Sequence, residues 1–376
     1  MKRALQTTMI FGCLVACSDA ATQSATPGGV PNSTNPQPAG NGAPSPQSAG
    51  GAGAGAQAPN ADDTDSPSTN EPQSPADAAP PNGDSPDAAA EDAAQPPADY
   101  PGVVTCPATA LQPGDSSASL MHAGVAREFL IHVPFGYDNR TAVSLVLNFH
   151  GATSNAEQQR SLFSQMDTTS DAEGFIVVYP QGVGDSWNAG ACCGDAASQG
   201  VDDVGFARAL VEYMAARACI DRKRVYATGF SNGGRMSYRL GCEAADVFAA
   251  IAPVAGTKSF PDLNNSPGCT PSRPLSLIDF MGSADSRIAA QAGQVREWVG
   301  FDGCTDSEPK ESYRNGAHFC MTYEQCQAGT SVTFCVVDGG GHCWPGTVPC
   351  PLGATSQTDE LSANELMWEL FQRSSL

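Results

Sequence analysis

Basic residues are scarce. The 376-residue chain has 19 Lys and Arg against 40 Asp and Glu, a formal net charge of −21. An acidic surface on this scale repels phosphate, which excludes nucleic acid as a partner. Histidine is scarcer, at five residues, so the search for a general base is short. Long hydrophobic runs are missing as well. The mostly apolar stretch that follows Lys2 and Arg3 ends near Val15, too short to cross a bilayer as a stable helix. Between Ser18 and Asp99 the absences go further: there is no aromatic residue, no Lys or Arg, and Val30 is the sole larger aliphatic. Such a segment cannot bury enough apolar surface to offset the entropy of ordering it, which excludes a folded domain there.

What is present divides the chain into three. Residues 1–17 read as an export signal whose end, "LVAC", resembles the lipobox of bacterial lipoproteins; by that resemblance the chain is cut before Cys17, which then carries lipid. Residues 18–99 form a disordered Ala/Pro/Gly/Ser-rich tether whose eleven acidic residues repel one another and keep it extended. Residues 100–376 hold every remaining large apolar residue, enough for one α/β domain. The expected location is extracytoplasmic, either secreted or at a bacterial membrane surface, with membrane contact only through the lipid on Cys17.

Twelve cysteines fall in the domain, an even number in an exported chain, and predict a disulfide-stapled fold. "HCWPGTVPC" and "ACCGD" mix metal-ligand residue types, but no pair of C-x-x-C knuckles occurs, so neither a metal nor a cofactor is expected. Pairing cannot be deduced from sequence alone. Cys192 and Cys193, being adjacent, are closer than ordinary disulfide geometry wants and are expected to staple different neighbours.

Short apolar runs alternate with helical patterns, the signature of a mostly parallel, doubly wound sheet covered on both faces. Strands are predicted at 127–134, 143–149, 174–180, 224–230, 248–256, 275–281 and 331–338. A helix is predicted at 201–220, capped by Asp202 or Asp203, with Phe206, Leu210, Val211 and Met214 as its buried stripe. Another begins near Asn232, and a capped helix closes the chain at 362–373.

"YATGFSNGGRM" (226–236) sets a serine between glycines where a strand runs into a helix. A G-x-S-x-G turn forces its serine into a strained, exposed position from which the hydroxyl can attack a carbonyl. The hydroxyl needs a base, and the base needs a carboxylate to hold its tautomer. Only His318 and His342 follow Ser231, as the Ser…Asp…His order of this fold requires; His342 follows a predicted strand through "GGG" and is preferred. Asp285 in "DFMGSADSRI" is the best orienting carboxylate, with Asp279, inside the apolar run, as runner-up. The N–H groups of Asn232 and Ala152 are the expected donors to the oxyanion, with His150 shaping the second loop.

Together "FHGA", "WNAGACCG", "VDDVGF", "VYATGFSNGGRM", "FAAIAPVAG" and "GGGHCWPG" resemble the secreted serine esterase family that includes feruloyl esterases, acetylxylan esterases and poly(3-hydroxybutyrate) depolymerases. The resemblance covers about residues 125–373 and implies an α/β-hydrolase fold, with Ser231 as nucleophile, Asp285 as acid, His342 as base, and Ala152 and Asn232 at the oxyanion positions. It also matches Trp187 and Trp344 to aromatic positions near the cleft, which together with His150 become expected substrate-binding residues. One stretch departs: where relatives carry "HGT-D" and then valine-proline-tyrosine, this chain has "MGSADSRIAA", so Met281 replaces the histidine and the pocket wall is altered.

The implied function is a monomeric carboxylic-ester hydrolase acting through an acyl-enzyme on polysaccharide-linked feruloyl or acetyl esters, with a polyester, polyhydroxybutyrate, as the alternative substrate. A peptidase could use the same triad. A non-catalytic surface-binding protein on this scaffold would show a broken triad, and all three positions are intact.

Overall fold

The computed structural model describes residues 104–190, 193–257, 268–347 and 361–376. The expected export signal with Cys17 and the acidic tether lie outside these residues, as does Cys192.

Among the described residues, ten strands form a single sheet in the order β1-β2-β4-β3-β5-β6-β7-β10-β9-β8. The strands are β1 (Gly114–His122), β2 (Val125–Val133), β3 (Val143–Phe149), β4 (Ile176–Pro180), β5 (Ile220–Phe230), β6 (Ala250–Val254), β7 (Ser276–Gly282), β8 (Lys310–Asn315), β9 (His318–Tyr323) and β10 (Val332–Val337). From β4 through β10 in that order, every pairing is parallel; β1, β2, β8 and β9 are antiparallel additions at the two edges. The central strands are buried on both faces, which is why they read as continuous apolar runs. In β3, Leu145, Leu147 and Phe149 join one apolar layer and Val146 the other.

The longer helices are α1 (Asp203–Ala215), α2 (Asn232–Glu243), α3 (Ile288–Phe301) and α4 (Ala363–Gln372). The stripe Phe206, Leu210, Val211 and Met214 of α1 packs into the first layer, and Met367, Leu370 and Phe371 of α4 into the second. Helices therefore cover both faces of a mostly parallel sheet, the doubly wound arrangement the alternation predicts.

The two aspartates before α1 divide their roles. Asp202 is the cap, its side chain accepting from the N–H of Gly205 at 2.9 Å. Asp203 is fully buried: it accepts from the guanidinium of Arg127 at 2.7 Å and from the N–H of Asn188 at 2.7 Å. Burial pushes its carboxyl above the usual range, with Arg127 pulling against it. The pair ties β2 to the loop 186–190, and Arg127 also lies 4.0 Å over the ring of Phe206.

Four disulfides are seen in full: Cys106–Cys219, Cys242–Cys269, Cys304–Cys326 and Cys320–Cys335. Cys193 and Cys343 are disulfide-bonded too. The Cys106–Cys219 bridge spans 113 residues, so it closes the longest loop of the four and removes the most unfolded-chain entropy. Replacing both by serine is expected to cost about 2–5 kcal/mol, a fall of roughly 5–15 °C in melting temperature. Calorimetry checks this, and a change within ~1 °C would mean the bridge leaves stability untouched.

Candidate active site

Every residue of the expected triad sits at the carboxyl edge of a parallel strand. Ser231 follows β5 directly, in a backbone conformation (φ 55°, ψ −108°) that few non-glycine residues adopt. Such strain persists only where the surroundings over-determine it. Here the N–H of Ser231 donates to Val254 of β6 at 2.9 Å, and its carbonyl accepts from Arg235 one turn into α2 at 3.0 Å. The turn is tight because α2 starts against the end of β3: a Cβ on Gly233 would stand 2.0 Å from the carbonyl oxygen of Phe149. Glycine is the residue that fits there.

Asp285 lies three residues beyond β7, and His342 five beyond β10, its parallel neighbour. The two loops are sewn together: Ser283 N–H donates to Val337 at 2.9 Å, Ala284 N–H to Gly340 at 2.8 Å, and Gly339 N–H to the Ser283 hydroxyl at 2.7 Å. Gly282 makes this contact possible, since a Cβ there would fall 2.1 Å from the oxygen of Gly340. His342 Nδ1 then meets Asp285 Oδ2 at 2.6 Å. An ionised carboxylate can only accept, so Nδ1 carries the proton and Nε2 is left as the basic nitrogen. The imidazole packs on Phe230, the residue before Ser231, at 4.8 Å between ring centres. Burial raises the Asp285 carboxyl, but the bonds from His342 and from the Arg287 N–H, with the charges of His342 and Arg287, outweigh it and hold the group below the usual carboxylate range.

The two rivals are placed elsewhere. Asp279 is fully buried inside β7 and accepts from the Tyr238 hydroxyl at 2.9 Å; burial pushes its carboxyl up to about 7. His318 lies on β9, where its Nδ1 accepts from the N–H of Asp338 at 3.1 Å.

The expected oxyanion donors border the serine. Gly151 packs against it, a Cβ on Gly151 lying 3.5 Å from Cβ of Ser231, and Ala152 follows, half-buried. Asn232 opens α2, and its side chain clasps Trp187 from both sides: Oδ1 accepts from the Trp187 N–H at 2.7 Å and Nδ2 donates to its carbonyl at 3.1 Å.

The three expected substrate-binding residues are all buried. Trp187 and Trp344 are 0 % and 1 % exposed, so neither presents a ring face to a ligand. Each can be buried because its indole N–H finds an acceptor, His150 carbonyl at 2.9 Å for Trp187 and Asn364 Oδ1 at 3.0 Å for Trp344. His150 is buried and its Nε2 accepts from the Gly182 N–H at 2.9 Å, leaving Nδ1 to donate to the Gly151 carbonyl at 2.7 Å. Burial lowers its pKa to about 4. Trp187 and His150 brace the loops around the serine, and Trp344 ties the loop after His342 to α4.

Sequence reasoning passed over Arg287. It is 39 % exposed at the side chain, with Nη1 at 3.3 Å from Asp285 Oδ1 and 3.1 Å from His342 Nδ1. Its place in the departing stretch "MGSADSRIAA" was the available signal.

A serine at a strained strand-to-helix turn, with Asp and His on the loops of two neighbouring strands further along a doubly wound sheet, is the site architecture of the α/β-hydrolase fold. Comparison with known proteins points to hydrolases of this fold. Residues 161–260 match the model of the prolyl oligopeptidase family. The chain is 34 % identical over 237 residues to feruloyl esterase B of Piromyces equi, a match that covers 57 % of this chain and 42 % of that protein. It is 26 % identical over 274 residues to feruloyl esterase C of Emericella nidulans, covering 70 % and 91 %. Among solved structures, an acetyl xylan esterase from Aspergillus awamori superposes with a TM-score of 0.51 at 17 % identity, covering 68 % of this chain and 99 % of that one. The likeness to feruloyl and acetylxylan esterases that the motifs carry is thus present along the chain and in the fold.

Proposed function

We propose that the protein is a serine carboxylic-ester hydrolase acting on feruloyl or acetyl groups linked to plant polysaccharide. The observation that carries the reading is the Asp285–His342 pair at 2.6 Å, its imidazole packed on Phe230, the residue before a serine held at positive φ. Nε2 of His342 takes the proton of Ser231 as its oxygen attacks the ester carbonyl. The N–H groups of Ala152 and Asn232 receive the oxyanion, and Asp285 stabilises the imidazolium. Collapse expels the alcohol, which leaves with the proton from Nε2. Water then repeats the sequence on the acyl-serine, releasing the carboxylic acid and restoring the hydroxyl.

The choice of acyl group rests on what the relatives are named for, since the two tryptophans expected to sandwich an aromatic acid are core residues. The disulfides suit an oxidising compartment and support an extracytoplasmic enzyme; the tether through Cys17 and the monomeric state are carried by the sequence reading alone. A second reading, a peptidase, is favoured by the prolyl oligopeptidase match over residues 161–260.

The purified protein is to be assayed on methyl ferulate, acetylated xylan, a suspension of amorphous polyhydroxybutyrate, and a prolyl peptide anilide. Release of ferulate or acetate is the expected result. Clearing of the suspension without either release moves the substrate to a polyester, anilide cleavage alone makes the enzyme a peptidase, and silence on all four removes the hydrolase reading.

A further inference from the structure

The bond between His342 and Asp285 leaves one contact unexplained by the triad alone. Nδ1 of His342 already donates its proton to Asp285 Oδ2, so the Arg287 Nη1 group 3.1 Å away has no lone pair there to donate to. What Arg287 brings to that nitrogen is charge. Its hydrogen bonds go instead to the other carboxylate oxygen: Asp285 Oδ1 accepts from the Arg287 backbone N–H at 3.0 Å and from Nη1 at 3.3 Å.

We propose that Arg287 is a positioning residue of the triad, which anchors Asp285 through Oδ1 and holds a fixed positive charge against the imidazole edge, so that activity extends to lower pH than it would without the guanidinium. The proposal rests on the triad reading above. Two opposed effects meet at the ring. Asp285 favours the imidazolium, and Arg287 disfavours it while drawing off part of the carboxylate's negative charge. The serine can be deprotonated only by a neutral imidazole, so the balance sets the pH at which the acid limb of the rate profile falls.

Other groups lie near this pair. Phe230 of β5 offers the imidazole an uncharged ring face. Arg235 of α2, which donates to the Thr257 hydroxyl at 2.8 Å, is a second guanidinium whose pKa is lowered by burial first and then by the charge of Arg287; its own charge is the same in every Arg287 variant and so drops out of their comparison. Asp338, at the end of β10, accepts from the Ser283 hydroxyl at 3.4 Å.

The test is the pH dependence of kcat/KM for 4-nitrophenyl acetate, read at the isosbestic point of the product, for the full-length wild type, Arg287→Gln, Arg287→Lys and Ser231→Ala. Arg287→Gln is expected to raise the acid-limb midpoint by about 0.5–1 pH unit and to lower the plateau only a few-fold, while Arg287→Lys stays near wild type. Because the side chain is partly exposed, the difference between the wild-type and Arg287→Gln midpoints is expected to shrink in 1 M salt, whereas screening of the acidic chain acts on both alike. A midpoint unmoved by the glutamine, or a difference that salt leaves unchanged, overturns the proposal. So does a lysine variant that behaves like the glutamine one. If Ser231→Ala keeps its rate, the triad reading falls instead, and with it the role of Arg287.

Discussion

Ser231→Ala is expected to leave a folded protein with no measurable turnover of its esters. Loss of the nucleophile in such triads costs on the order of 10⁶ in kcat, because the remaining residues have no covalent route to offer. Stability should barely move. The elbow is held by backbone bonds to Val254 and Arg235 and by the close approach of Gly233 to Phe149, none of which involves the serine hydroxyl. Alanine meets the same strain at φ 55° that serine does, so the strain cancels in the comparison. Burst kinetics and calorimetry on one preparation check both halves. A variant retaining a tenth of the wild-type rate would place the nucleophile elsewhere.

Asp285→Asn is expected to be nearly as severe, at about 10⁴ in kcat, although it changes one atom. The neighbours decide which way the new amide faces. Both N–H groups of Arg287 point at the Oδ1 position, so the amide oxygen takes that side and the NH₂ faces Nδ1 of His342. That arrangement requires Nδ1 to accept, which moves the imidazole proton to Nε2, where no lone pair remains to take the proton of Ser231. KM should change little, because no group that holds the ester has been altered. Steady-state kinetics on methyl ferulate give the split, and a loss under tenfold would show that Asp285 does not set the tautomer.

The parts legible in sequence were those with a local signature. The central strands announce themselves because burial on both faces leaves room for few polar residues, and the serine elbow because its spaced glycines fall in one short stretch, although the contact that demands Gly233 comes from Phe149 at the end of β3. The edges are silent. β1 reads "GDSSASLMH" and β8 "KESYRN", polar strands whose pairing comes from a neighbour already in the sheet. Asp203 reads like Asp202 as a possible cap, since one residue's offset separates a cap from a buried ion-pair partner and only Arg127, 76 positions away, distinguishes them. The burial of the tryptophans is illegible for a related reason. Their indole N–H groups are satisfied by His150 and Asn364, and a ring with its polar edge satisfied reads the same in sequence whether it faces a cleft or the core. Arg287 could be seen only once the loops after β7 and β10 had been brought side by side.

The Cys106–Cys219 bridge also settles where a mechanical load would enter the fold. A pull on the chain at Val104 reaches Cys106 before it reaches β1, an edge strand paired only with β2 that would otherwise unzip one hydrogen-bonded pair at a time. The bridge diverts the tension to Cys219, the residue before β5, which lies between β3 and β6 in the middle of the sheet. Force applied there shears two parallel pairings at once instead of peeling one. A domain pulled by its leading end would keep its edge strands in register until that covalent link was reduced.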